Sequence, residues 1–188
     1  MRLLSSLNYF ILTVCFLTAF LPSPAYSSDF IHQNFSVTYP IESLNTSSGD
    51  IIVRNKFTNS LRLSTTEDSS NVFGVVAENP PLVFRTDSGS VPIVRFGVTD
   101  VKVILKNGPI KKGDYITTSD VIGYGMAVEP HHRYTVGLAL ESLNQDETEE
   151  FVTAPDGNSY PSGLVLVDLK IGLYGSGLVS IKKTDFSL

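Results

Sequence analysis

One motif of this chain is written twice, and it constrains the fold more than any other feature. Gly49-Asp50-Ile51-Ile52 leads, about two dozen residues on, to Gly74-Val75-Val76-Ala77-Glu78, and Gly113-Asp114-Tyr115-Ile116 leads over nearly the same distance to Gly137-Leu138-Ala139-Leu140-Glu141. A third element follows each copy, SVPIVRF between Gly89 and Gly97 and LVLVDLKI between Gly163 and Gly172. Register in a half-buried strand is fixed by which side chains point inward, so copied sequence predicts copied orientation. Gly49 and Gly113 suit a turn that needs positive φ, and Asp50 and Asp114 can accept hydrogen bonds from nearby backbone amides, which starts a strand sharply. Gly74 and Gly137 have no side chain to pack and so mark places where a neighbouring backbone comes close. These six residues are the predicted structural positions.

The rest of the chain predicts strands. Short runs rich in Val, Ile, Phe and Tyr (DIIV, NVFGVVA, PLVF, VKVIL, DYITT, YTVGLALE) alternate with Gly, Pro, Asn, Asp and Ser turns such as RTDSGS, KNGP and APDGNSYPSG. Turn signals every eight to twelve residues or so, with no helical period, predict an all-β domain, a compact barrel or tight sandwich of about six to eight strands. Two copied units of three or four strands would close such a barrel and leave no free sheet edge.

The N-terminus reads differently. Arg2, an apolar run to about Leu21, Pro22 and small residues before Ser28 predict a secretory leader over residues 1–27. The run is shorter than the roughly 20 apolar residues of a membrane span, so contact with a membrane is expected only through the leader if it stays uncleaved. Residues 28–48 then form an extension, with FSVTY suited to an added strand, and residues 49–188 a single β domain. Cys15 is the only cysteine and leaves with the leader, so the mature chain is expected to use neither disulfides nor a Cys-based metal site. A formal charge of -5 and a pI near 5.1, with no basic cluster beyond Lys111-Lys112 and Lys182-Lys183, argue against nucleic-acid partners.

Residues able to do chemistry are few. Glu78 and Glu141 fall at matching repeat positions, which fits strand ends better than a catalytic carboxylate pair. His131 and His132 invite a metal, yet neighbours on a strand point to opposite faces and no third ligand stands at a diagnostic spacing, so a solvated loop is expected there. His32 lies near the mature N-terminus. The acidic run from Glu141 to Phe151 predicts a solvated loop without the spacing of a calcium-binding loop, and KNGPIKKGD lacks the Gly-Lys-Ser/Thr of a phosphate loop. No catalytic residue, metal site or cofactor is assigned. Tyr115, Tyr124, Tyr134 and Tyr160 fall near turns, where an exposed ring could meet a glycan.

GVVAENPP, VPIVRFGVTDVKV, GPIKKGDYITTSDVIGYGMAV, VGLALES and GLVLVDLKIGLY, in that order across Gly49 to Tyr174, resemble a β-rich domain of bacterial surface and phage tail-fibre or neck-appendage proteins. The pattern is related to the peptidase G2 type and to small capsid-decoration barrels. The resemblance implies a secreted or cell-surface module, non-catalytic, with a structural or binding role, assembling as a homo-oligomer and able to meet a surface protein or glycan. It also brings one alternative, a self-cleaving peptidase of the phage-appendage kind; a carbohydrate-binding surface domain is a second, resting on the tyrosines. No catalytic set of this chain matches the family residue by residue, and the extension is too short to be a fibre.

Overall fold

The computed structural model describes residues 35–43, 45–77, 80, 82–84 and 89–175. The expected leader with Cys15, and His32 and Glu78, lie outside the described residues. The fold is all-β. Its strands are β1 (Phe35–Pro40), β2 (Ile51–Arg54), β3 (Leu61–Leu63), β4 (Val72–Val76), β5 (Leu82–Phe84), β6 (Ser90–Val94), β7 (Gly97–Ile104), β8 (Tyr115–Thr118), β9 (Gly125–Ala127), β10 (Tyr134–Ala139), β11 (Phe151–Thr153) and β12 (Ser159–Leu173). They form two six-stranded sheets in a sandwich-like arrangement, ordered β3-β2-β4-β6-β1-β5 and β10-β8-β9-β7-β12-β11.

Each sheet curls and closes on itself, with β5 and β11 left outside the closure. In the second, β10 pairs with the far half of β12, so β10, β8, β9, β7 and β12 close a ring. In the first, the N–H of Glu42, just past β1, donates to the Leu61 carbonyl of β3 at 3.0 Å, joining the corresponding strands. Of the expected alternatives, one barrel or a tight sandwich, the sandwich-like arrangement is the one found, with twelve strands among the described residues in place of six to eight. The additional strands are β1, which falls in the segment read as an extension, and the three-residue β3, β9 and β11, LRL, GMA and FVT. Three residues are too few for alternation to show in a sequence.

The two sheets repeat one pattern in chain order, β1 to β4 and β6 matching β7 to β10 and β12; the fifth strands differ, β5 lying parallel to β1 and β11 antiparallel to β12. Ile51 faces Val75 and Ile52 faces Gly74, as Tyr115 faces Leu138 and Ile116 faces Gly137. Leu63, Arg62 and Leu61 lie opposite Ile52, Val53 and Arg54, as Ala127, Met126 and Gly125 lie opposite Ile116, Thr117 and Thr118. Val75 and Val76 pair with Val94 and Ile93, as Leu138 and Ala139 pair with Asp168 and Val167. β1 lies along β6 as β7 lies along β12, so the repeat begins at Phe35, inside the segment read as an extension.

Alternation divides the side chains of β2, β4 and β6 between two cores. Ile52, Phe73, Val76 and Ile93 pack within the first sheet, while their neighbours Ile51, Val75 and Val94 join Val101, Val103, Ile116, Val165 and Val167 of the second sheet in one cluster. Strand β2 is thus buried on both faces, which is why it reads IIV without a polar alternate. A fully buried Ile or Val contributes about 1.5–3 kcal/mol, so the joint between the repeats is a large part of the stability.

Candidate functional site

The site with the most definite geometry is the joint itself. Gly49 turns at φ +85° and Gly113 at φ +95°. The following Asp closes the same short loop in both copies, the Asp50 carboxylate accepting the Ser47 N–H at 2.8 Å and the Asp114 carboxylate accepting the Lys111 N–H at 2.9 Å. Each turn is pinned to the next strand alike, Gly49 N–H to Val76 O at 2.9 Å and Gly113 N–H to Ala139 O at 2.8 Å. Gly74 and Gly137 are the close approaches: a Cβ on Gly74 would stand 2.5 Å from the Val94 oxygen, and one on Gly137 would strike the Asp168 oxygen.

Beyond that point the copies diverge. The turn of the first repeat plugs the mouth of the second. Lys102 N–H donates to Gly49 O at 2.9 Å and Ile51 N–H donates to Gly123 O at 2.8 Å, two backbone bonds that cross between sheets. The buried Asp50 carboxylate takes the Lys102 ammonium at 2.7 Å, and the same ammonium reaches Ser47 Oγ. Gly123 is required here because a Cβ would stand 2.9 Å from Asp50 Oδ1, and Gly125 makes room for Ile51, whose Cδ1 lies 3.1 Å from where a Cβ would be. In the second repeat the same turn faces outward: Lys111, Lys112 and Gly113 are exposed and Tyr115 is 36% exposed. Its ring meets Tyr174 edge-on at 5.2 Å, beside a groove of about 570 Å³ that Lys170 and Leu173 help to line. The first repeat's mouth stands open, a cavity of about 440 Å³ walled by Tyr39, Ile41, Leu61 and Phe73 and bordered by Glu42 and Arg54.

A second contact ties the repeats through side chains. Asp68, in the loop between β3 and β4, accepts the N–H groups of Arg133 and Tyr134 at 2.7–3.0 Å, while its own N–H donates to Thr118 O. Its neighbour Glu67 accepts from His132 Nε2 at 3.1 Å. His132 is therefore buried, at 4% exposure, where a solvated loop was expected; His131 is the exposed one. Glu67 also supplies the third metal-type ligand missing from the sequence pattern, its oxygen and the two imidazoles lying within 4.8 Å of one another. The hydrogen bonding of His132 nevertheless opposes a metal. Its Nδ1 accepts the Glu129 N–H at 2.7 Å, so the ring proton sits on Nε2 and points at Glu67. A metal on Nε2 would move that proton to Nδ1, against a backbone donor, whereas metal-bound histidines offer their second nitrogen as a donor to an acceptor.

The remaining polar cluster also consists of mutual ties. Lys106 donates to Asp120 at 2.7 Å, and Tyr160 donates its hydroxyl to Asp156 at 2.8 Å. The Asp120 bond raises the Lys106 ammonium above its ordinary pKa of 10.5, against a smaller desolvation effect. The Asn158 N–H and then the Tyr160 hydroxyl hold Asp156 below the usual carboxylate range, and the same carboxylate raises Tyr160. These groups sit over a small core of Ile104, Val121, Met126 and Ala154 and join three loops. Glu141 likewise spends one oxygen on the Leu166 N–H at 2.8 Å, closing off a backbone donor. In the acidic run the exposed Glu147 carboxylate accepts the Asn144 N–H at 2.7 Å and caps a 3-10 turn at Gln145–Glu147.

Glu67, Asp68, Lys102 and Gly123 escape sequence reasoning because their partners are distant in the chain. Only Gly123, in a GYG stretch with no copy in the first repeat, carried a visible signal, a glycine where the copy has Asn59. No family model and no curated protein matches this chain.

Proposed function

We propose that this protein is a secreted or cell-surface β module without catalytic activity, with a structural or binding role and a homo-oligomeric state, of the kind found in phage tail-fibre and bacterial surface proteins. The observation that supports the reading is the duplicated joint: the best-formed polar contacts fix one repeat to the next, and an outward copy of the same turn remains exposed. Catalytic sites gather convergent polar groups in a pocket. Here Glu67, Asp68, His132, Lys106 and Asp156 line neither the mouth of about 440 Å³ nor the groove of about 570 Å³. Intact mass and light scattering of the protein recovered from the extracytoplasmic fraction test the proposal. An N-terminus at or near Ser28, no internal cleavage and a mass above the monomer are expected; a monomer, or chains cut within residues 49–188, would count against it.

A carbohydrate-binding role is the second reading, and it draws on a separate observation. The Phe35 ring lies 6.2 Å from that of Phe84 and 6.1 Å from that of Phe96, all three 39–59% exposed, and Leu82 on the edge strand β5 is exposed as well. Ring faces of this kind stack on sugars. Glycan-array binding lost in Phe84→Ala would support it.

A further inference from the structure

We propose that copies of this chain associate end to end, with Gly113, Asp114 and Tyr115 of one molecule seated in the open mouth of the first repeat of the next. The proposal rests on the oligomeric reading above and specifies its contact. The template is the chain's own joint. Inside each molecule, Gly49, Asp50 and Ile51 plug the mouth formed by Lys102, Gly123 and Gly125. Because the repeats match in register, the molecule carries a second plug at one end and a second mouth at the other.

The two free ends keep the parts that the joint needs. The free plug has the same positive-φ glycine and the same Asp-closed loop, and it is exposed. Asn59 of the free mouth holds the left-handed conformation of Gly123, φ 59° against 80°, so its carbonyl is turned to receive the Tyr115 N–H as the Gly123 carbonyl receives that of Ile51. The free mouth is an apolar cavity of about 440 Å³ rather than a closed surface. Each end also carries both signs of charge, Lys112 and Asp114 on the plug and Glu42 and Arg54 at the mouth.

Two departures set the strength. Pro40 stands where Lys102 stands in the internal joint, so it can supply neither the backbone N–H nor the ammonium. Leu61 fills the room that Gly125 leaves for Ile51, so Tyr115 lies over the mouth rather than reaching into the barrel. The contact between molecules is therefore weaker than the joint within one, and reversible with concentration. Plug and mouth are different surfaces, which makes the contact heterologous and open-ended.

Sedimentation velocity of the whole chain over a wide concentration range tests this, with Tyr115→Glu to spoil the plug, Ser60→Trp to obstruct the mouth, and melting curves to show that both variants fold. Wild type is expected to grow past the dimer as concentration rises. Each variant alone should be monomeric, with association weakened at least about tenfold. An equimolar mixture of the two variants should form a dimer and nothing larger, since only one intact plug and one intact mouth remain. Oligomers that ignore both substitutions, or variants that do not complement when mixed, would overturn the joint and leave the oligomeric reading standing. A monomer at every concentration would overturn both.

Discussion

The two glycine pairs do different work, and single substitutions should separate them. Gly113 has φ +95° and open space around the position of a Cβ, so Gly113→Ala meets only backbone strain, about 1 kcal/mol. Gly137 has an ordinary φ but lies against the Asp168 carbonyl and Val167, so Gly137→Ala forces two strands apart and should cost about 2–4 kcal/mol. Thermal melts of the two variants check the order; equal losses would remove the distinction. Asp68 belongs at this scale too. Asp68→Ala leaves the Arg133 and Tyr134 N–H groups without their acceptor and should cost about 1–3 kcal/mol by denaturant titration. The glycines could be read from the sequence because a missing side chain is a local property. Asp68 could not, because an aspartate in TTEDSSN looks the same whether it faces water or caps a strand 66 residues away.

Among the elements, the loops over the Ile104, Val121 and Met126 core should give the protein part of its alkaline stability limit. Lys106 has its pKa raised in the fold by Asp120, so its stabilisation is complete below about pH 10.5, the ordinary lysine value, and is lost as pH climbs through the higher folded value. The difference in melting temperature between wild type and Lys106→Met is therefore expected to stay level through neutral pH and to narrow above about pH 10.5. A difference that widens there would reverse the assignment. Strand identity was open to sequence reasoning wherever runs were long enough to alternate, as in VKVIL, all of which but Leu105 lies within β7. Strands β3 and β9 were not, since three residues with one polar or glycine member satisfy any period.

For the molecule as a whole, neither repeat should fold alone. Separated from residues 97–175, the first repeat would expose Ile51, Val75 and Val94, all fully buried in the whole chain, and the second would lose the Ile51 plug from its mouth. Expressed as fragments 28–96 and 97–188, each is expected to lack a cooperative melt; a sharp transition in either would mean that the joint is dispensable. The sequence by itself determined the all-β class and the duplication, because these follow from period, turn chemistry and copied register, all local to a few residues. The tertiary structure alone decided that each copy closes its own ring, that the turn of the first plugs the second, and that Lys102, Gly123, Glu67 and His132 meet their partners. Those facts depend on contacts between residues far apart in the chain, and the two Gly-Asp turns differ only in what the fold brings against them.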